Sequence, residues 1–373
     1  MKNKIIKTSL LALSLLISGC GNVSHYEDHL DDYAFTMDYH NKFNVLQLTD
    51  IHWNLNTSDT SSKQYLHKVI KEAKGYVLTT QSNEAKIDLI EITGDTFMLS
   101  NSDYVKSFVS FMEEEAKEYD FKYTILWGNH DRQGTYNPTW LAKQFINAEH
   151  CIYTEPNDDL YGRSNLVINL KDEDNNTKWQ IANLDSGASF SDTSASIARN
   201  YDWIRDDQVN WLKKEHDLVG SNVPVIAYYH IPSPEMKTIY NEVVNGASYK
   251  NKFFKLESFA EQEAPSKFLT EAEKMNVKAT FSGHAHNVDW TVEYHNMVLG
   301  LGVKTGKELY FAHVDVNDET KEVQDGLTSV GINESFDLIG ASLVTLRDNE
   351  EFDLYHLYLN ERDNEDFVKW VKF

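Results

Sequence analysis

The sequence predicts an α/β fold, and three observations carry that expectation. From residue 43 onward, short apolar runs alternate with amphipathic stretches of helical period. Two further pairs of apolar runs, each separated by a polar segment, read as hairpins (166–170 with 179–184, and the last two runs of the chain). Five of the runs end in Asp, Asn or His, the placement expected where the carboxyl ends of strands in an open α/β sheet converge on a site.

Taken in order, residues 45–48 form a short strand that ends in Thr49-Asp50-Ile51-His52. A helix is expected over 63–79, with Leu66, Val69, Ile70 and Val77 on one face. Residues 87–93 read as a mostly apolar strand ending at Gly94-Asp95. A helix follows over 103–119, with Val105, Phe108, Val109 and Met112 inward and the acidic run 113–115 in solvent. Residues 121–126 include the strand formers Tyr123, Thr124 and Ile125 and run into Trp127-Gly128-Asn129-His130-Asp131. Asn137-Pro138 has the form of an N-cap and first helical residue. A helix over 208–216 precedes a strand over 223–229 that ends at His230. Another over 266–275 precedes 277–281, which ends in Gly283-His284-Ala285-His286. Residues 315–335 are expected to be a surface loop, and the tail 367–373 to pack on the body.

The chain has 373 residues, enough for a large core, and no repeat or second domain stands out, so one domain is expected over 41–373, closed by a C-terminal β-hairpin. A formal charge of −23 and a pI near 4.9 exclude a basic nucleic-acid footprint and disfavour adsorption to anionic lipid. The first twenty residues, "MKNKIIKTSLLALSLLISGC", combine a lysine-bearing start, a short apolar stretch and small residues. That is a secretion signal rather than a span, which needs roughly 20 apolar residues. Its end on Cys20 resembles a bacterial lipoprotein signal. The expectation is removal of 1–19, lipid on Cys20, an acidic tether over 20–40, and anchoring to the outer face of the cell membrane. Cys151, the other cysteine, reads as a buried small hydrophobe.

Asp50, His52, Asp95, Asn129, His130, His230, His284 and His286 thus stand at the ends of five strands. Carboxylate mixed with imidazole, and no thiolate, suits divalent first-row metals such as Mn, Fe or Zn. The candidate ligands exceed the four of a closed structural zinc site and suit two ions with a bridging carboxylate. The remaining histidines read as structural.

The motifs "DIH" (50–52), "GD" (94–95), "GNHD" (128–131), the lone His of "YYH" (228–230) and "GHAH" (283–286) resemble, in order and spacing, the calcineurin-like metallophosphoesterases. The segments "NLDSG", "YDWI", "YYHIPSPE" and "VKTG" look like the branch holding the yeast phosphatase Dcr-two and the shorter plant purple acid phosphatase-like proteins. The resemblance implies a four-layer αββα sandwich of two mixed β-sheets flanked by helices. It also implies two divalent ions, one held by Asp50, His52, Asp95 and His286, the other by Asp95, Asn129, His230 and His284, with Asp95 bridging. The implied activity is hydrolysis of phosphate mono- or diesters by hydroxide that the two metals activate, with His130 facing the leaving group.

The chain departs from the family at Met98, where many members carry an Asp that supports the catalytic His and purple acid phosphatases carry a metal-binding Tyr. A tyrosinate-bound ferric ion is therefore not expected, and the partner that orients His130 is open between Asp131 and none; Asp131 would otherwise be a structural turn carboxylate. Tyr201 and Lys304 are candidates for contacting the substrate phosphate. The alternatives to a phosphoesterase are a catalytically silent surface binding protein that keeps the metal site, and a metal-dependent hydrolase of other substrates.

Overall fold

The computed structural model describes residues 24–25, 33–54, 59–134, 136–154, 159–190, 200–262, 266–360 and 367–373. The signal segment and Cys20 lie outside the described residues. Among those described, the strands form a nine-stranded and a seven-stranded mixed sheet, with helices on their outer faces, and a two-stranded ribbon. This is the four-layer arrangement, and the period-2 alternation of strand side chains explains why it assembles.

In the strand Lys42–Leu48, Phe43 and Val45 point into the core between the sheets, while Leu46 and Leu48 point to the helices Asp59–Thr80 and Ser102–Tyr119. In Val225–Tyr228 the roles are mirrored. Ile226 and Tyr228 enter the inter-sheet core, and Val225 and Ala227 meet the helices on the opposite face, such as Asp206–Val219. Each central strand buries both faces, so each reads as a nearly unbroken apolar run.

The strands Lys42–Leu48, Leu89–Thr93 and Lys122–Leu126 run parallel, side by side, in the seven-stranded sheet. Val225–Tyr228 and Val277–Ser282 are parallel neighbours in the other. Their carboxyl ends carry the five motifs. The helix Pro138–Ile146 begins as expected, with Asn137 Oδ1 accepting from Trp140 N at 3.0 Å.

Three expectations about organisation are corrected. Residues Ala34–Asp38 are not tether but a strand parallel to Leu166–Lys171. Phe35 and Met37 carry it into the inter-sheet core, an apolar contribution that a count of aliphatic residues overlooks. Residues 315–335 contain the helix Lys321–Val330, which buries Val323, Leu327 and Val330. The acidic run 113–115 is not all solvated: Glu113 accepts from Tyr123 and contacts His150, and Glu115 is buried against His67. The tail packs as expected, as the strand Val368–Lys372 against Phe352–Leu359. No described helix is long and apolar enough to cross a membrane.

Candidate dinuclear metal centre

Two groups of ligand atoms gather at the strand ends. In the first, His52 Nε2 lies 3.0 Å from His286 Nε2, and Asp50 Oδ1 lies 3.9 Å and 3.5 Å from those two nitrogens. In the second, His230 Nε2 lies 3.4 Å from Asp95 Oδ1 and 3.2 Å from Asn129 Oδ1, and His284 completes the cluster. The His230 ring is oriented from behind, because Nδ1 meets the Thr93 carbonyl at 2.8 Å. That contact fixes the tautomer and leaves Nε2 to face the cluster.

The backbone pays for this convergence in conformation. Asp50 (φ 51°), His52 (φ 51°), Asp95 (φ 49°) and His284 (φ 75°) are all left-handed, a region that L side chains avoid. Gly128 is needed for close approach: a Cβ there would fall 2.2 Å from Asp95 Oδ1. The His130 amide, two residues on, donates to that same oxygen at 2.7 Å.

These residues fit cations. Asp50 Oδ1, both ring nitrogens of His284, and the Nδ1 atoms of His52 and His286 are buried with no hydrogen-bond partner. Leaving a buried acceptor unsatisfied costs about 1–3 kcal/mol, which a cation held by Asp50 Oδ1 or by the His284 ring would offset. Burial pulls His284 down to about 3 and His52 well below its ordinary value, so both rings are neutral and able to ligate. Burial opposes ionisation of Asp50, yet polar contact with His286 and the charge of His230 hold its carboxyl well below the usual range. A set of four imidazoles, two carboxylates and an amide oxygen is that of a dinuclear divalent centre.

The other expected site residues are placed differently. His130 is half-buried with its ring edge-on to His52 at 5.1 Å. Asp131 does not orient it. One carboxylate oxygen accepts from Phe97 N at 2.8 Å and the other from Gly128 N at 2.8 Å, so the group is committed to the turn. Burial, and after it the Asp95 carboxylate, push Asp131 up to about 6. Among the described residues, no side chain hydrogen-bonds the His130 ring.

Lys304 does not reach the opening either. It is 1% exposed and donates through Nζ to the Asp50 carbonyl at 2.7 Å, a cation set behind the ligand turn. Burial lowers its pKa to about 8, against the pull of Asp50 and Asp95. Tyr201, on the ribbon strand Asn200–Tyr201, lies beside the second group with its ring edge-on to His284 at 4.3 Å.

Two features escaped the sequence reading. Tyr310 packs on His286 with ring centroids 4.6 Å apart. Its segment follows the strand Met297–Leu301, an apolar run whose carboxyl end lies beside that of Val277–Ser282 and could have been added to the series. Arg132, two residues past His130, pairs with the buried Asp185 of "NLDSG". The same carboxylate accepts from Gly187 N and Arg163 N, pinning the loop after the His130 turn.

Fold and site together define a dinuclear metal-dependent hydrolase of phosphoric esters. The sequence profile of the calcineurin-like phosphoesterases matches residues 43–288, and the chain belongs to that family. It is 26% identical over 328 residues to "Probable inactive purple acid phosphatase 14" of Arabidopsis thaliana, across 80% of this chain and 79% of that one. It is 24% identical over 263 residues to "Phosphatase DCR2" of Saccharomyces cerevisiae, across 67% of this chain and 45% of the yeast protein. Among solved structures, a dimetal phosphatase from Danio rerio aligns over 88% of this chain and 98% of its own, with TM-score 0.48 and 10% identity.

Proposed function

We propose that the protein hydrolyses phosphate mono- or diesters outside the cell, held at the membrane surface by lipid on Cys20. The observation that carries the reading is the pair of buried carboxylate and imidazole groups at the strand ends, with Asp50 Oδ1 and the His284 ring left without hydrogen-bond partners, beside a half-buried His130. Asp50, His52, Asp95 and His286 would hold one ion, and Asp95, Asn129, His230 and His284 the other, with Asp95 shared. Two divalent cations at such a site lower the pKa of a water between them and neutralise phosphate oxygens. The chain's own groups do the rest. Thr93 keeps the His230 lone pair turned inward, and Asp95 takes the His130 amide, which sets the His130 ring beside His52. From there His130 delivers a proton to the departing alcohol oxygen.

The test is an assay of the purified domain, loaded with Mn, Fe or Zn, on a chromogenic monoester and diester, with metal content measured on the same sample. Turnover that scales with bound metal supports the reading. A second reading, a silent surface binding protein, is favoured by the kinship with the Arabidopsis protein named a probable inactive purple acid phosphatase. Two bound ions with turnover of neither ester would select it. The lipid is tested by Cys20→Ser, which should release the protein from the membrane fraction.

A further inference from the structure

We propose that Tyr310 and Leu309, with Tyr201 on the other ligand group, form an apolar wall that receives the alcohol part of the substrate, so that the site prefers phosphate esters of aromatic or other flat-ring alcohols. The inference rests on the phosphoesterase reading and names its substrate class.

Tyr310 is 55% exposed and Leu309 42% exposed, two adjacent large apolar side chains left in solvent. Isolated exposed residues of this kind need no explanation, but adjacent ones at the rim of a site mark binding surface. Tyr310 meets the first ligand group through His286, and Tyr201 meets the second through His284. A tyrosine ring therefore stands against an imidazole of each group. The phosphoryl group is the charged end of any such substrate and belongs at the cations. What the tyrosine faces and the leucine can offer is apolar area and π contact to the remainder.

The wall is mounted on a fixed base. Thr305 N donates to Thr49 O at 2.8 Å, Gly306 N to Asp50 O at 3.3 Å, and Gly340 N to Lys304 O at 2.8 Å. A Cβ on Gly306 would lie 1.8 Å from Ile51 O, so the segment presses directly on the first ligand turn. Three residues further on, Leu309 has φ 63°, an unfavourable conformation for a branched side chain. Such conformations gather at ligand clamps, where the surroundings enforce them. Tyr310 is thus presented from the ligand turn itself.

The experiment compares phenylphosphonate with methylphosphonate, which share the charged head and cannot be hydrolysed as esters, binding to the metal-loaded protein by calorimetry. The native protein should bind the phenyl compound about 3- to 10-fold more tightly, the range of one aromatic pairing. Tyr310→Ala, compared with the native protein at equal metal content, should abolish most of that ratio. Tyr310→Phe should keep the ratio, because the ring face and not the hydroxyl provides it. Equal affinities in the native protein, or an undiminished ratio in Tyr310→Ala, would overturn the proposal. Binding of neither phosphonate to protein carrying both metals would overturn the phosphoesterase reading, and this inference with it.

Discussion

Two regions of the molecule bury carboxylates against imidazoles, and they differ in how many such groups meet and where. At the strand ends, Asp50, His52, Asp95, His230, His284 and His286 converge with several ligand atoms unspent. Between the sheets, Asp289 of the strand Val288–Tyr294 meets His356 and Tyr358 of Phe352–Leu359. There one carboxylate oxygen lies 2.6 Å from His356 Nδ1, the other accepts the Tyr358 hydroxyl, and Phe253 stacks on the imidazole at 4.2 Å. In the second cluster Asp289 Oδ1 and His356 Nδ1 also lack a well-formed hydrogen bond, but they face each other as an ion pair and tie one sheet to the other. Burial of acid with imidazole therefore does not mark a site by itself. The better sign is the number and place of the groups: six ligand residues meet at the strand ends, against one carboxylate and one imidazole between the sheets.

The comparison breaks most visibly at Asp95. Asp95→Ala should release at least one ion and bring turnover to background, measured by elemental analysis beside the ester assay. Next in size is His130→Ala, expected to keep both ions while turnover falls by about 10²–10⁴. The loss should shrink for nitrophenyl esters, whose leaving group needs little protonation. If that variant loses metal, His130 is a ligand. Asp289→Ala should cost about 3–5 kcal/mol of stability, as removal of one partner of a buried pair does. Urea unfolding would measure this, with metal content unaltered; loss of metal would join the two clusters that the comparison separates.

A third buried carboxylate sharpens the contrast at the smallest scale. Glu91 accepts from Asn183 Nδ2 at 2.9 Å across the inter-sheet space, and burial pushes its pKa well above the ordinary value. A carboxyl raised in the folded state contributes stability that is fully present below its unfolded pKa, about 4.3, and is lost as pH rises through the folded value. Glu91→Gln should therefore match the native protein below about pH 4 and become progressively the more stable of the two as pH rises from there through neutral. Melting curves at several pH values would settle this, and a stability difference between the two proteins that is the same at about pH 8 as at about pH 4 would sink it.

Much of the site was legible because Asp, Asn and His at the mouth of an apolar strand have no packing reason to be there, and five such ends repeat the signal. Direction was not legible. "GNHD" places a carboxylate beside His130, but only the turn reveals that Asp131 is taken by the amides of Phe97 and Gly128. Lys304 looked like a phosphate contact because a lysine's burial depends on what covers it, here the ligand turn. In the fold, central strands buried on both faces stood out. Ala34–Asp38 and Lys321–Val330 did not, because their polar residues dilute an apolar face that exists only once a sheet or core is present to meet it.

The left-handed backbone at His52 and His284 sets folding and binding against each other. Glycine occupies that region freely, while a side chain held there costs on the order of 1 kcal/mol. A glycine at either position would relax the chain and delete a ligand in the same step. Selection for thermal endurance in a chelator, with no demand for hydrolysis, should therefore return glycine or asparagine at 52 and 284 among its first gains. The durable protein it produced would keep the four layers intact and have forfeited its ions.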